Sequence, residues 1–373
     1  MSMRRLGRAI ANPLRSLRSA KNLLTAAVSS NAPQPPPVPD ASPAFVAVSL
    51  ADGTTYDLSI EPTDRDAYHE AVSVAGTQDA TWSFLINWLM SSDVFFDLGA
   101  NIGTISIPAA FRCTRVHAIE MVAQNVVHLR RALERNRLSN VTIIQAAVSD
   151  TPGLVGVGGG SAWGHVVSEA IVLVPTLPID DYVRLRGISR VDVMKIDIEG
   201  SEMRALAGAA GLIARDHPDI IVESNSLTCG ANGYSYRDLL RRLRDFGYTV
   251  YRLHRTPPSA AGAGQPSQPD RLCPWPEDSV QEVVYIDYLA TTKDPASVEK
   301  RSGWKIAAMT DAETVAGVLS AALYDRYWRM HVLAVAGRLP KTVAGNSGVK
   351  EALREWAPLA SDASFDALRI GTL

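Results

Sequence analysis

The stretch FFDLGANIG, residues 95–103, decides the fold because it places a glycine turn directly after an apolar strand. Asp97 lies near the end of that strand, Gly99 and Gly103 belong to the turn, and the apolar run that follows is typical of a helix. Glycine has no Cβ and accepts positive φ, so the backbone of such a turn can approach a ligand closely. A strand, a glycine turn and a helix in this order predict a ligand site at the carboxyl end of a parallel strand.

Strands and helices alternate along most of the chain after this stretch. The segments that we interpret as strands are VFFDLG, VHAIE, VTIIQAAV, VDVMKIDIEG, DIIVES, YTVYRLH and EVVYIDYLA. Most of them are apolar throughout, as strands covered on both faces are, and repeated strand–helix units produce a parallel sheet with right-handed crossovers. The predicted fold class is therefore α/β, with a doubly wound, mostly parallel seven-stranded sheet over residues 93–292.

Shorter segments are predicted on both sides of this sheet domain. They are a basic tail with a Pro-rich linker (1–43), a hairpin with helices (44–92) and a C-terminal helical extension (293–373). The hairpin is predicted from the dipeptide Asp52-Gly53 between two strand-like runs, which favours a two-residue turn. A Pro/Gly/Ala-rich loop of low order is expected over 255–279, before the last strand.

The overall composition is that of a globular protein and sets limits on the partners. Apolar residues make up 46% of the chain, charged residues 20%, and the formal net charge of -2 gives no whole-protein reason to expect nucleic acid. Its three cysteines lie far apart without a CxxC pair, which predicts neither a zinc site nor a disulfide framework. A reducing cytoplasm is the expected compartment.

The first residues differ in character from the rest. Residues 1–39 contain Arg and Lys but no acid, and NPLRSLRSAKNLLTAAV has the spacing of an amphipathic helix with Pro13 at its first position. One interpretation is attachment to an anionic membrane surface, which predicts peripheral contact with the inner membrane. The other is a solvated tail, which is common at chain termini.

Glu120 supplies a second indication of a ligand site. It closes the second predicted strand about 20 residues after the first glycine, where an acid can accept hydrogen bonds from both ribose hydroxyls. The turn reads Gly99-Ala-Asn-Ile-Gly103 and lacks the third glycine of a GxGxxG motif, so a nucleoside ligand without a pyrophosphate fits better than a dinucleotide. The alternative is an exposed carboxylate at a strand end beside a purely structural turn.

Several segments together resemble the FkbM family of class I S-adenosylmethionine-dependent methyltransferases. They are FFDLGANIGTISI, AIEMVAQNVVHLRRALERNRLSNVTIIQAAVSD, TLPIDDYV and VDVMKIDIEGSEMRALAGA, and the run from Lys195 to Glu202 is the most family-specific part. Two departures are Met121, where the family usually has proline, and Pro178, in a stretch that more often reads TLDD. The resemblance implies a Rossmann-like methyltransferase fold, S-adenosyl-L-methionine as cofactor, and O-methylation of a sugar, glycan or natural-product intermediate. The net charge predicts no nucleic-acid partner.

The same resemblance implies a set of cofactor-binding residues. Around the methionine part it places Asp97, Gly99, Asn101 and Gly103. Glu120 would hold the ribose, and the Ala147 backbone and the Asp150 side chain would lie near the adenine. Asp150 is equally well interpreted as a turn residue in SDTPG, because aspartate is favoured in turns.

The fourth predicted strand carries the candidate catalytic residues. Lys195, Asp197 and Glu199 occupy alternate positions, so their side chains are expected on one face of the strand. Asp197 or Glu199 would remove the proton of the acceptor hydroxyl, while Lys195 would hold a carboxylate or tune its pKa. The structural alternative is that Lys195 pairs with Glu199 and that Glu202 caps the next helix.

Further candidates follow the fifth strand. Glu223 could join Asp197 in a cation site of oxygen ligands, and the metal question stays open at this point. Asn225, Cys229 and Tyr234 are expected on the acceptor side. Two other functions are compatible with the fold: a nicotinamide-dependent dehydrogenase, which the missing GxGxxG disfavours, and an inactive, membrane-docked interaction protein that keeps the methyltransferase fold.

Overall fold

The computed structural model describes residues 44–50, 53–61, 80–158, 165–167, 172–254, 270–275 and 286–309. The basic tail and the Pro-rich linker lie outside the described residues, as do most of the 255–279 loop and most of the C-terminal extension. Membrane contact through residues 1–39 therefore stays a prediction.

Strands and helices alternate as the sequence predicts over most of the described chain. The strands are β1 (Ala44–Ser49), β2 (Thr55–Ile60), β3 (Val94–Leu98), β4 (Arg115–Glu120), β5 (Val141–Gln145), β6 (Ala147–Val148), β7 (Gly153–Gly158), β8 (His165–Val167), β9 (Leu173–Leu177), β10 (Val193–Ile196), β11 (Asp219–Ser224), β12 (Thr249–His254), β13 (Arg271–Pro274), β14 (Ile286–Thr291) and β15 (Lys305–Ile306). The helices are α1 (Ala80–Trp88), α2 (Ser106–Ala110), α3 (Ala123–Arg135), α4 (Ile179–Arg186), α5 (Glu202–Gly208), α6 (Ala210–Asp216), α7 (Ser226–Ala231), α8 (Tyr236–Asp245) and α9 (Pro295–Ser302).

The main sheet has nine strands in the order β15-β13-β12-β14-β11-β10-β3-β4-β5. Strands β11, β10, β3, β4 and β5 are parallel, and β14 runs antiparallel between β11 and β12. All seven predicted strands are present. The prediction of seven was too low because β13 lies in the expected loop and β15 in the expected helical extension, where strands of four and two residues have no strong sequence signal.

The sheet is covered on both faces, as a doubly wound fold requires. Successive residues of a strand point to opposite faces, and so Phe95 packs with α1, α2, α3 and the hairpin, while Phe96 packs with α4, α5, α6 and α8. Both phenylalanines are fully buried. This two-sided burial is the reason that β3 is apolar throughout.

The third predicted strand, VTIIQAAV, is divided between two sheets. Its first part is β5 of the main sheet, and its second part, β6, pairs with β9 in a four-stranded sheet of order β6-β9-β7-β8. The break falls at Ala146, whose N–H donates to the Glu120 carbonyl at 3.1 Å, after which the chain leaves the main sheet. The chain between β6 and β9 thus contributes two strands, β7 and β8, to a second sheet that the sequence pattern does not predict.

The predicted N-terminal hairpin is present, with a longer turn than expected. Strands β1 and β2 are antiparallel, and Leu50 N donates to Thr54 O at 2.8 Å, so that three residues separate the last bonded pair. Gly53 has a φ of +86°, as the glycine of a three-residue hairpin turn does. The expected two-residue turn was therefore wrong by one position.

A buried histidine provides a test of the packing between β4 and α4. His117 is only 3% exposed, and its Nδ1 lies 2.7 Å from the Tyr182 hydroxyl. Burial, followed by the nearby Arg115 and Arg186 charges, lowers the pKa of His117 to about 4. The folded protein therefore holds this histidine neutral, whereas the unfolded chain protonates it near pH 6.5.

We expect His117→Asn to flatten the pH dependence of stability. Between about pH 6.5 and pH 4 the unfolded state binds more protons at this site, so the wild type loses about 2 kcal/mol of unfolding free energy from about pH 7.5 to pH 5. Asparagine can accept the Tyr182 hydrogen bond but does not titrate. Urea unfolding of both proteins at the two pH values measures the difference, and an identical pH dependence would contradict the assignment.

Candidate active site

Several ionisable side chains meet at the carboxyl edge of the main sheet. Asp97 lies near the end of β3, Glu120 ends β4, and Lys195 and Glu223 lie near the ends of β10 and β11. Lys195 is the direct neighbour of Asp97 in the sheet register. Since strands β11, β10, β3 and β4 are parallel and adjacent, the predicted site residues that lie on them are brought to one edge.

Lys195 is the positive charge of this edge. Its Nζ lies 3.5 Å from Asp97 Oδ1 and 3.1 Å from Asp197 Oδ2, and it donates to the Gly99 carbonyl at 3.1 Å. Burial alone lowers the pKa of the ammonium, but the Asp197 and Asp97 carboxylates outweigh it, and the resulting pKa is above its usual value. Lys195 therefore stays charged and pairs with these two aspartates, rather than with Glu199 as the structural alternative supposed.

Asp97 is fully buried beneath this lysine. Its Oδ2 accepts a hydrogen bond of 2.5 Å from the Ser106 hydroxyl. Its Oδ1 has no hydrogen-bond partner within the described part of the chain, where its contact is the ion pair with Lys195. Burial raises the pKa of Asp97, while Lys195 and Ser106 lower it in part. The sequence signal for Ser106 is that it is the single polar residue of helix α2.

The glycine turn after β3 adopts the left-handed conformation that its sequence suggests. The φ angles are +87° at Gly99, +50° at Asn101 and +98° at Gly103. A Cβ on Gly99 would lie 1.8 Å from the Asp197 carbonyl oxygen, and one on Gly103 would lie 2.5 Å from Leu129 Cδ1. The space on the Cβ side of each glycine is thus filled by the protein, so that these glycines permit close packing of the chain, and their role in cofactor binding stays a prediction.

Glu120 is buried with both carboxylate oxygens engaged. Oε2 accepts from Asn101 N at 2.9 Å, and Oε1 accepts from Val122 N at 2.7 Å and from Asn125 Nδ2 at 3.4 Å. A carboxylate offers about four lone-pair positions. One position on Oε2 remains for a further donor, and accepting two hydroxyls would require displacing the long Asn125 contact.

The two residues expected near adenine differ in their surroundings. Ala147 is buried and lies next to the end of β4, because the preceding residue donates to the Glu120 carbonyl. Asp150 is exposed, accepts from the Ser149 hydroxyl at 3.1 Å and lies 3.7 Å from Arg204. These local contacts are those of a turn residue, the second of its two interpretations.

The predicted placement of Glu199 on a strand was wrong. Strand β10 ends at Ile196, and Glu199 and Gly200 have φ angles of +52° and +95° in the turn that follows. Glu202 accepts from Ile198 N at 3.3 Å and from Gly200 N at 3.0 Å. Glu202 therefore holds the preceding turn, whereas the sequence analysis expected it to cap helix α5.

The carboxyl groups near this turn hold their protons unusually strongly. Burial, followed by repulsion from Asp197 and Glu202, raises the pKa of Glu199 to about 8. Burial and the adjacent Asp197 raise the pKa of Glu223 well above its usual range.

Within the residues that the structure describes, no group of three or more His, Cys, Asp or Glu side chains is arranged to hold a metal ion.

Tyr234 completes the turn from the other side. Its hydroxyl lies 2.5 Å from Glu202 Oε2 and 3.1 Å from the Gly200 carbonyl. From its position alone, Tyr234 is expected on the acceptor side. Its contact with Glu202 has no sequence signal, because nothing in the local pattern links residues 202 and 234.

Sequence comparison matches residues 97–250 to the family model described as a methyltransferase FkbM domain. The chain is also 26% identical over 204 residues to the 31-O-demethyl-FK506 methyltransferase FkbM of Streptomyces tacrolimicus, in an alignment that covers 43% of this chain and 75% of that protein.

Two solved structures show low similarity to this chain. The methyltransferase FkbM of Methylobacillus flagellatus is 20% identical with a TM-score of 0.36, over 54% of this chain and 44% of that chain. Aeropyrum pernix fibrillarin, solved with natively bound S-adenosyl-L-methionine, is 14% identical with a TM-score of 0.32, over 66% of this chain and 93% of that chain. The chain thus spans less than half the length of the first of these proteins.

The packing of the glycine turn predicts a strong effect of Gly99→Ala. The new Cβ would meet the Asp197 carbonyl at 1.8 Å in a left-handed backbone, so β3 and the turn after β10 must move apart. We expect a loss of about 3 kcal/mol or more in unfolding free energy. Gly187→Ala is the matched control, because Gly187 also has a positive φ of +62° but nothing within 4 Å of a Cβ, and about 1 kcal/mol is expected there. Equal losses of unfolding free energy in the two variants, measured by urea unfolding, would show that the contact between Gly99 and the Asp197 carbonyl does not affect stability.

Proposed function

We propose that the protein transfers the methyl group of S-adenosyl-L-methionine to a hydroxyl of a sugar, glycan or natural-product intermediate, because residues 97–250 match the family model described as a methyltransferase FkbM domain. The observation that carries the proposal beyond the family is the carboxyl edge, where Asp97, Glu120 and Lys195 are held in fixed, buried positions.

The chemistry of this edge fits the proposed cofactor. Bound S-adenosylmethionine would supply a methyl group already activated on a sulfonium cation. Glu120 can accept one more hydrogen bond through Oε2, which suits a ribose hydroxyl. The buried Asp97 Oδ1, which lacks a hydrogen-bond partner in the described residues, suits an amino group.

The choice of an oxygen acceptor rests on a relative. The Streptomyces tacrolimicus protein is named a 31-O-demethyl-FK506 methyltransferase, and its alignment covers 43% of the present chain. Transfer to a hydroxyl requires that its proton be accepted as the new bond forms, and carboxylates near the acceptor are suited to that role. Asp197 and Glu199 follow β10 at the carboxyl edge, and Asp197 forms an ion pair with Lys195 at 3.1 Å.

The proposed function can be tested by binding and by methyl transfer. We expect S-adenosylhomocysteine to bind, and NADH not to bind, in titration calorimetry. With methyl-labelled S-adenosylmethionine and a panel of hydroxylated macrolides and monosaccharides, label should appear in an organic product that gains one methyl group. Binding of NADH alone would favour the dehydrogenase, and binding of the cofactor product without transfer to any hydroxyl would favour the inactive fold.

Glu120→Gln should weaken the cofactor product while the protein stays folded. The variant keeps the size of the side chain but removes the charge that strengthens hydrogen bonds to it, and a loss of about 1 to 3 kcal/mol corresponds to a Kd that rises by roughly 5- to 150-fold. Glu134→Gln, an exposed position on the same side of the sheet, is the control and should leave the Kd unchanged. If calorimetry gives the same Kd for both variants, Glu120 does not hold the ribose.

A further inference from the structure

The turn that follows β10, residues 198–200 and here called the Glu199 turn, has a conformation that its own sequence does not favour. Glu199 has a φ of +52°, in the left-handed region where side chains with a Cβ are disfavoured. Glycine would adopt this conformation without strain. A glutamate therefore stands where the fold alone would be better served by glycine, and its surroundings must hold it there.

Glu202, the first residue of helix α5, binds the backbone of the turn through its side chain. One carboxylate oxygen, Oε1, accepts from Ile198 N at 3.3 Å and from Gly200 N at 3.0 Å, so that it binds the backbone on both sides of Glu199. Glu202 is only 3% exposed. Because a buried carboxylate needs hydrogen-bond donors, the turn and Glu202 stabilise each other.

The segment from α7 to the start of α8 contacts the turn and Glu202 through Tyr234 and Thr228. Tyr234 approaches Glu202 Oε2 at 2.5 Å and the Gly200 carbonyl at 3.1 Å. A Cβ on Gly200 would lie 2.6 Å from the Thr228 carbonyl oxygen, so the segment is in direct contact with the turn. Tyr234 is fixed in its turn, because its N–H donates to Cys229 O at 3.2 Å.

The two candidate proton acceptors differ in how far they are engaged. Asp197 forms an ion pair with Lys195 at 3.1 Å and lies in hydrogen-bond contact with Glu223. Glu199 is half-buried, and the charged groups that face it are Asp197, Glu202, Lys195 and Glu223. Burial is the largest cause of the raised pKa of Glu199, about 8; repulsion from Asp197 and Glu202 raises it further, and Lys195 offsets part of the rise.

We propose that Tyr234 and Glu202 are positioning residues that hold the Glu199 turn in its left-handed conformation, and that the Glu199 carboxylate accepts the proton of the acceptor hydroxyl. This inference rests on the proposed methyl transfer. The hydroxyl oxygen forms a bond to the methyl carbon, the carbon–sulfur bond breaks with its electron pair going to sulfur, and the hydroxyl proton passes to Glu199. Glu199 then returns the proton to water.

The first test measures the titration of Glu199 in the full chain and needs no substrate. In protein labelled with carboxyl-¹³C glutamate, Glu199→Gln identifies the Glu199 signal, which should titrate with a midpoint of about 8. Tyr234→Phe should lower this midpoint by about one pH unit or more, because a released turn exposes the carboxyl to water. Glu202→Gln should act in the same direction.

Tyr248→Phe is the matched control for the tyrosine. The Tyr248 hydroxyl donates to the Pro218 carbonyl at 2.8 Å and is buried, but it lies away from the Glu199 turn. Its loss should leave the Glu199 midpoint unchanged. A midpoint that is the same in wild type, Tyr234→Phe and Glu202→Gln would overturn the positioning role.

The second test measures turnover with a hydroxyl acceptor from the panel above. Glu199→Gln should lower kcat by about 10²-fold or more, and Tyr234→Phe should lower kcat and move the rising limb of the pH–rate profile to lower pH with an unchanged Kd for S-adenosylhomocysteine. Full kcat in Glu199→Gln would remove it as the proton acceptor. Failure of the wild type to bind S-adenosylhomocysteine would instead contradict the proposed function, while the titration would still report on the turn.

Discussion

The buried ammonium of Lys195 is the charge on which the arrangement of the carboxyl edge depends. It lies within ion-pair distance of Asp97, which is fully buried, and of Asp197, which follows β10, and it also donates to the Gly99 carbonyl. Removing one partner of a buried ion pair is strongly unfavourable, by about 3 to 5 kcal/mol, because the other charge is left without compensation. The lysine therefore ties β3, its glycine turn and the end of β10 into one unit, on which the positions of the other carboxyl groups are built.

The parts of this unit that the sequence predicts are those set by strand periodicity. Asp97 and Lys195 lie on strands whose apolar neighbours fix which face each side chain occupies, and the parallel order of the strands brings their ends together. Glu120 follows from the same reasoning, because it ends the neighbouring strand β4. The number of ligand hydrogen bonds it can accept did not follow, since that depends on the amides of Asn101 and Val122 in the folded chain.

The parts that the sequence did not predict depend on contacts between distant residues. Glu199 continues the alternation of β10 in sequence, yet Glu202 and Tyr234 bind the backbone of the turn and take it out of the strand. The division of VTIIQAAV between two sheets similarly depends on the hydrogen bond from Ala146 to Glu120, and apolarity alone does not reveal it. In both places a tertiary hydrogen bond overrides a local pattern, and such bonds join residues whose separation along the chain carries no signal.

Buried aspartates have different surroundings at the amino and carboxyl ends of the parallel strands. At the amino edge, Asp219 is 1% exposed and accepts hydrogen bonds from Trp88 Nε1 at 3.1 Å, Thr291 Oγ1 at 2.6 Å and Lys293 Nζ at 2.8 Å. At the carboxyl edge, Asp97 is as deeply buried but leaves one oxygen without a hydrogen-bond donor in the described chain, and Glu199 stands in a disfavoured conformation. A fold gains stability from the first arrangement and loses some from the second. Since such local losses persist where a site must receive a ligand or a proton, the contrast supports the carboxyl edge as the proposed site.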